Sequence, residues 1–222
     1  MLDGVEVSGV TVDEVRERLA HVRWIGGGSG AGKSTVTRAL AQRCDLRVLD
    51  TDAAMADHAR RARPDRTPAL QRFLAAGPDE RWLGRTPAAM LEDFPWFRGE
   101  GFGLLVEDLL ALPADRPVLV EGFRLLPDLV QPLLARPGRA VWLLPTPTFR
   151  RTAFEARGGL WTVAGRTSDP PRALANLLER DRLFTERLHE RVRALGLAHV
   201  PVDGSRDLAG LVEDVAVRLG LT

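Results

Sequence analysis

The chain has a single lysine. Every other cationic side chain except histidine is arginine, within a total of 31 lysines and arginines over 222 residues. It also has a single cysteine, Cys44. One thiol excludes an internal disulfide framework and fits a reducing compartment, so a cytoplasmic location is expected. Cys44 falls near the end of an expected helix and reads as a packing residue. No apolar run approaches the ~18 residues of a membrane-spanning helix. Asp3, Glu6, Asp13 and Glu14 give the first residues an acidic character unlike a signal peptide. A formal charge of +1 supplies no general field for nucleic acid or an anionic membrane, and neither is an expected partner. The four histidines, His21, His58, His189 and His199, lack metal-ligand spacing. What remains is ordinary globular composition, 45% hydrophobic and 27% charged.

The lone lysine, Lys33, stands in Gly27-Gly28-Ser29-Gly30-Ala31-Gly32-Lys33-Ser34, which fits G-x-x-x-x-G-K-[ST] at every fixed position. A genome of biased base composition would also favour arginine, but the motif stands independently of that. A compact ammonium fits between phosphate oxygens where a broad guanidinium does not. The glycines let the loop from Gly28 to Gly32, with Ser29, Gly30 and Ala31 between, wrap phosphates with its backbone N–H groups. The following helix adds its positive end. Lys33 is expected to bridge the β- and γ-phosphates of a nucleoside triphosphate. The Ser34 hydroxyl is expected to hold Mg²⁺, with Thr35 a neighbouring donor.

Around this motif, short apolar strands alternate with helices. Thr11-Val12-Asp13-Glu14 has capping-box spacing and opens a helix, preceded by a short extended piece. Strands are expected at Val22–Ile25, Leu46–Leu49, Pro117–Val120, Ala140–Leu144 and His199–Val202. Helices are expected over Lys33–Arg43, from Thr146-Pro147 to Gly158-Gly159, over Arg172–Leu195 and over 207–219. The stretch from Gly159 to Pro170 is expected to be loop. This pattern predicts an α/β fold with a mostly parallel sheet and helices on both faces. Residues 53–112 carry no strand signal and read as proline-broken helices inserted between the second and third strands.

Ligands of such sheets bind beyond the carboxyl ends of the strands. Asp50 and Asp52 follow the second strand and Glu121 the third. Asp50 and Glu121 are candidate metal-side carboxylates beside Ser34. Asp52 is the candidate for orienting an acceptor hydroxyl and taking its proton; its alternative role is the N-cap of a helix beginning near Ala53. Arg157 and Arg166, and more weakly Arg150 and Arg151, could neutralise the transferring phosphoryl group from a glycine-hinged loop. Glu179-Arg180-Asp181-Arg182 reads as a salt-bridged helix surface. In the insertion, Trp82, Phe94, Trp96, Phe97 and Phe102 with Arg85, Arg98 and Glu100 could line an acceptor pocket or form a local core. His58 could face the acceptor from the same lobe.

Taken together, these residues resemble the P-loop small-molecule kinases, the group around shikimate kinase, gluconate kinase and chloramphenicol phosphotransferase. The resemblance rests on Gly27–Ser34, Asp50-Thr51-Asp52, Val118–Gly122, the arginines near 150–166 and Val202-Asp203-Gly204-Ser205. It implies one P-loop kinase domain over 1–222 with strand order 2-3-1-4-5. It also implies a substrate lobe at 53–112 and a lid at about 157–171. Gly204 and Ser205 would lie on the adenine side, with ATP and Mg²⁺ as cofactors. The implied partner is a small hydroxyl-bearing acceptor, natural products and antibiotics among them, and the assembly a monomer or homodimer. Two features depart from the group: the insertion exceeds that of its smallest members, and Glu121-Gly122 looks more like uridine-kinase-type enzymes. A nucleoside or nucleotide kinase, a regulatory NTP switch and a silent binding protein are the competing readings. A Ras-like GTPase would need a second lysine in Asn-Lys-x-Asp. No Asp-Glu pair after the third strand and no Ser-Gly-Gly-Gln signature marks an AAA- or ABC-type motor.

Overall fold

The computed structural model describes residues 11–157 and 159–221, and side chains outside 154–161. The extended piece expected before Thr11 lies outside the described residues, as does Gly158. The elements run α1 (Val12–Arg18), β1 (Val22–Gly27), α2 (Lys33–Cys44), β2 (Arg47–Asp50), α3 (Met55–Arg61), α4 (Pro68–Ala75), α5 (Pro78–Trp82), α6 (Pro87–Asp93) and α7 (Phe102–Ala111). They continue with β3 (Val118–Glu121), α8 (Pro127–Val130), β4 (Ala140–Pro145), α9 (Pro147–Arg157), α10 (Gly159–Ala164), α11 (Pro170–Ala194), β5 (His199–Val202) and α12 (Leu208–Leu219).

Among the described residues the strands form one five-stranded sheet in the order β2-β3-β1-β4-β5, every neighbouring pair parallel. Strands β3 and β4 are buried along their whole length, which explains the unbroken apolar runs Val118-Leu119-Val120 and Ala140–Leu144. The edge strand β2 alternates instead, leaving Val48 44% exposed. Right-handed crossovers in this order send α2 and α12 to one face and α7, α8 and α11 to the other. Ile25, Val36, Leu40, Leu143 and Val215 fill the first layer. Trp24, Phe102, Leu105, Trp142 and Phe184 fill the second. Burying a side chain such as Ile25 or Phe184 contributes about 1.5–3 kcal/mol before ordering entropy is subtracted.

Local signals place most helix starts. The Thr11 hydroxyl and the Glu14 carboxylate form the capping box of α1. The Thr146 hydroxyl accepts from Phe149 N at 3.3 Å. Pro68, Pro78, Pro87, Pro127, Pro147 and Pro170 sit in the first turn of their helices, where a missing N–H costs nothing. The prolines of the insertion therefore begin its helices as well as interrupting them. Cys44 donates toward Leu221 O at 3.6 Å at the end of α2, a packing position. No helix among the described residues is long and apolar enough to cross a membrane.

Two expectations need correction. The stretch after Gly158 is not all loop, because α10 occupies Gly159–Ala164. Ala164 is fully buried against Trp82, Met90, Ala173 and Leu177, so apolar contacts with the insertion hold this turn helical. Just beyond it, Ser168 N and Oγ bind the Asp79 carboxylate at 2.8 and 2.5 Å. The second correction concerns α11. Glu179, Arg182 and Glu186 do form a surface ion-pair ladder. Arg180 and Asp181, in contrast, are buried together at 2.6 Å. The Arg180 guanidinium lies 4.8–5.3 Å from the ring centres of Phe94, Phe97 and Trp82, a cation–π environment that the charge pattern conceals.

The close approach of β1 to β4 sets a strict size limit. A Cβ on Gly26 would lie 2.6 Å from Trp142 Cδ1 and 3.0 Å from Leu125 O. The Trp142 indole is fixed there by donating to Leu125 O at 2.9 Å. Gly26→Ala is predicted to cost about 1–3 kcal/mol through overpacking. An unchanged urea midpoint would contradict this packing.

Candidate functional site

Strand β1 ends in the glycine loop, and α2 begins at Lys33. Gly30 and Gly32 both have φ +79°, a left-handed conformation that curls the loop over the start of α2. Gly32 is the N-cap and offers no side chain to the first-turn N–H groups. Such an uncapped helix start suits an anion. Lys33 is only 7% exposed, and its Nζ donates to Gly28 O at 3.0 Å. The ammonium thus folds back over the loop that its sequence position predicts it to serve. Ala31 is buried, Ser29 and Thr35 are half-buried, and Ser34 is exposed at the mouth.

The carboxylates arrive by strand register. Asp50 on β2 is level with Glu121 on β3, which is level with Ile25 on β1. Thr51 N donates to Glu121 O at 2.9 Å, and Gly122 N to Ile25 O at 3.2 Å, so the three strand ends are tied together. Gly122 has φ +151°, and a Cβ on it would overlap the Thr51 hydroxyl and lie 3.1 Å from Asp52 Oδ1. Only glycine lets the Asp50–Asp52 turn press against β3.

Within this cluster each carboxylate has a distinct environment. Glu121 is 3% exposed and lies within the electrostatic influence of the Ser34 hydroxyl. Burial pushes its carboxyl up from the ordinary glutamate range; Ser34 and Lys33 pull the other way. Asp52 is exposed by surface area yet crowded by neighbouring protein, and desolvation raises its carboxyl above the usual range, opposed first by Lys33 and reinforced by Asp50. Asp52 does not cap α3, whose N-cap is Ala54. The turn is held instead by Asp50 Oδ1, which accepts from Asp52 N at 2.8 Å and Ala53 N at 3.2 Å. That leaves the Asp52 side chain without a capping role, with a 3.3 Å contact from the Thr51 hydroxyl.

Ser34, Asp50 and Glu121 offer oxygen donors only, as a hard dication requires. No cluster of three or more His, Cys, Asp or Glu among the described residues forms a metal cage. The donor set fits Mg²⁺, which characteristically takes one or two carboxylates and completes its shell with phosphate and water.

Arg124, three residues past Glu121, is the site residue that sequence reading missed. It is 2% exposed. Its NH1 donates to Thr51 O at 3.1 Å and meets His58 Nδ1 at 2.9 Å, and its NH2 donates to Gly101 O at 3.2 Å. The guanidinium carbon lies 4.2 Å from the Trp96 ring centre. Burial lowers its pKa to about 10, against the attraction of Asp52 and Asp108. His58 is fully buried with Nε2 2.7 Å from Asp108 Oδ2, so it joins a support network rather than facing an acceptor. An arginine next to a strand-end Glu-Gly was the available signal, obscured by thirty arginines in one chain.

The other expected residues are more dispersed. Glu100 is turned inward, capping α4 by accepting from Ala69 N at 2.9 Å and Leu70 N at 2.7 Å. Arg85 pairs with Asp93 at 2.7 Å, and Arg98 donates to Glu92 O at 3.1 Å. Trp82, Trp96, Phe97 and Phe102 are buried; Phe97 stacks on Phe184 with centroids 3.7 Å apart. These rings form core, with half-buried Phe94 and Phe123 at its margin. Arg166 is exposed, and the Arg157 side chain lies outside the described residues. In the last turn, Asp203 Oδ1 accepts from Ser205 N at 2.9 Å and Oγ at 2.6 Å, with Gly204 packed on the Phe149 ring.

The sheet order and the glycine loop define a P-loop nucleotide-binding fold of the α/β class. The model of the family described as shikimate kinase matches residues 29–66. That segment spans the loop, α2, β2 and the Asp50–Asp52 turn, the residues on which the resemblance to P-loop small-molecule kinases chiefly rests. Among solved structures, a gluconokinase from Sinorhizobium meliloti 1021 is similar at 20% identity and TM-score 0.47, covering 92% of this chain and 94% of that one. Deoxyadenosine kinase from M. mycoides with bound dATP is similar at 11% identity and TM-score 0.48, covering 90% and 99%. A comparison with curated proteins finds no match.

The support network titrates in a predictable direction. Because Arg124 must donate to His58 Nδ1, the ring is neutral with its proton on Nε2 toward Asp108. Burial, with Arg124, holds the His58 pKa below its ordinary value, and the Asp108 hydrogen bond only partly offsets this. The unfolded chain then binds a proton that the fold rejects, so stability falls as pH drops below about 6.5. His58→Gln is predicted to remove part of that slope, at most about 1.4 kcal/mol per pH unit. Urea unfolding from pH 7.5 to 5 checks this, and parallel curves for the two proteins would refute it.

Proposed function

We propose that this protein is an ATP-dependent phosphotransferase that moves the γ-phosphate to a hydroxyl of a small molecule. The observation that carries the reading is the convergence of Lys33, Ser34, Asp52 and Glu121 at the ends of neighbouring strands. A phosphate loop alone would serve any NTPase. A second carboxylate beyond it, partly desolvated and within the electrostatic reach of the loop lysine, is what an acceptor hydroxyl needs. The shikimate kinase family match over the same segment favours a small-molecule acceptor.

In this reading the loop N–H groups and Lys33 hold the β- and γ-phosphates, and Lys33 leaves Gly28 O to do so. Ser34 and Glu121, with the free oxygen of Asp50, would hold Mg²⁺, which neutralises charge on the phosphate oxygens. Asp52 orients the acceptor O–H. As oxygen attacks the γ-phosphorus and the bond to the β-phosphate oxygen breaks, Asp52 takes the proton and ADP leaves. Arg124 fixes the Thr51 carbonyl and so the aim of Asp52. Residues 53–112 serve as the acceptor lobe and 157–171 as the lid, with Arg157 and Arg166 reaching the transferring group on closure. Gly204 and Ser205 lie on the base side.

Lys33→Ala is predicted to lower phosphoryl transfer by at least about 10²-fold. Asp52→Asn is predicted to lower turnover by about 10²–10⁴-fold with ATP affinity retained. ATP consumption across nucleosides, sugars and hydroxylated antibiotics, with product mass, identifies the acceptor. Full turnover in the Lys33 variant, or no phosphorylated product across the panel, would count against the proposal.

A further inference from the structure

The peptide unit between Thr51 and Asp52 is held at both of its polar ends. Its carbonyl, Thr51 O, accepts from Arg124 Nη1 at 3.1 Å. Its amide, Asp52 N, donates to Asp50 Oδ1 at 2.8 Å. A peptide group is planar, so hydrogen bonds on its two opposite edges fix the plane from which the Asp52 side chain departs. Asp50 reaches the amide from within the turn itself. Arg124 reaches the carbonyl from beyond β3, and it also bonds the insertion, through His58 Nδ1 on α3 at 2.9 Å and Gly101 O at the start of α7 at 3.2 Å.

His58 is the most exacting of these partners. A guanidinium has donors only, so Arg124 requires an unprotonated nitrogen at Nδ1. The ring proton is kept on the other nitrogen by Asp108, whose Oδ2 lies 2.7 Å from Nε2. Asp108 is steadied in turn by Arg61 of α3, which donates to its other oxygen at 2.7 Å. Both His58 and Arg124 are buried, so water does not stand in for a lost acceptor. The chain Asp108–His58–Arg124–Thr51 carbonyl therefore runs without a gap from two helices of the insertion to the peptide that carries Asp52. With no acceptor at the place of Nδ1, one Arg124 N–H is stranded in the interior. The guanidinium then shifts to satisfy it, at the expense of the Thr51 contact.

We propose that His58 is a positioning residue for phosphoryl transfer: by accepting from Arg124 it fixes the Thr51–Asp52 peptide, and with it the carboxylate that takes the acceptor proton. The role rests on the kinase reading of Asp52. It differs from a contribution to folding because it depends on one atom rather than on filled volume. The side-chain oxygen of asparagine stands near the place of Nδ1, and the amide of glutamine near that of Nε2. Asparagine at position 58 therefore keeps an acceptor toward Arg124 and gives up the Asp108 contact. Glutamine does the reverse while filling more of the space. A purely structural role favours glutamine, and a positioning role favours asparagine.

The test follows turnover of Mg²⁺–ATP with nucleosides, sugars, hydroxylated antibiotics and water as acceptors, in the full chain and its variants. His58→Gln is expected to lower kcat by about tenfold to a hundredfold, with the KM for ATP unchanged because the phosphate loop is untouched. His58→Asn is expected to keep kcat within about threefold of the unsubstituted protein. Asp108→Asn serves if neither His58 variant folds, since the Asp108 side chain is 28% exposed. Its amide can donate to Nε2 and drive the ring proton to Nδ1, and kcat is expected to fall about fivefold or more. In the unsubstituted protein, ¹⁵N-resolved NMR of the His58 ring is expected to show the proton on Nε2. Equal losses in the two His58 variants, a more active glutamine variant, an unchanged kcat in Asp108→Asn, or a proton on Nδ1 overturns the positioning role and leaves the kinase reading standing. A rise in the KM for ATP that accompanies the fall in kcat marks general loosening and also counts against it. An absence of turnover in the unsubstituted protein overturns the kinase reading, and the positioning role with it.

Discussion

The site depends on a missing methyl group. With no side chain on Gly122, the turn after β2 lies flush against the end of β3, and Thr51 hydrogen-bonds to the Glu121 carbonyl. That contact keeps Asp50 level with Glu121 and brings Asp52 within electrostatic reach of Lys33. The register is set further down the sheet, where Val118, Leu119 and Val120 are wholly buried and a slip would expose them. A hydrophobic constraint in the core is thereby converted into the placement of charge at the rim. The cost of gathering three carboxylates is moderated by Lys33 and Arg124, both of which favour the charged form of Asp52.

Arg124 shows how the support is layered. Its guanidinium lies over the Trp96 ring and spends its donors on Thr51, Gly101 and His58. His58 is oriented in turn by Asp108 on α7, which also accepts from Arg61 on α3 at 2.7 Å. The insertion is therefore connected to the strand ends by polar links as well as apolar packing. A half-satisfied network of this kind would be worse than none, and the chain satisfies it through the neutral histidine tautomer.

Much of this was legible in the residues. The strands, the phosphate loop and the capping box of α1 are local patterns, and each appears within a residue or two of its expected place. The strand-end carboxylates were legible because in a parallel sheet strand ends converge whatever else the chain does. What escaped notice was decided by tertiary contacts. Arg180 and Asp181 sit in a helix whose charge spacing resembles a surface ladder, yet Phe94, Phe97 and Trp82 cover the guanidinium. The α10 turn forms because Ala164 finds a pocket of residues from three distant segments. Glu100 is by residue type a candidate for the acceptor pocket as much as for a local core, and the uncapped N–H groups of α4 claim it. Arginine abundance hid Arg124, because residue type alone cannot distinguish a buried cation from thirty similar ones.

The solitary lysine has a chemical consequence of its own. Within these 222 residues, an amine-directed reagent has one side chain to attack, and that amine is 7% exposed inside the phosphate loop. Acylation of the ε-amino group therefore reports on a single place. Its rate follows how often the loop opens to solvent, and a polyanion seated over Lys33 would shield it. The composition that first marked the residue as unusual makes it a built-in, site-specific handle, with no competing lysine elsewhere in the chain to obscure the signal.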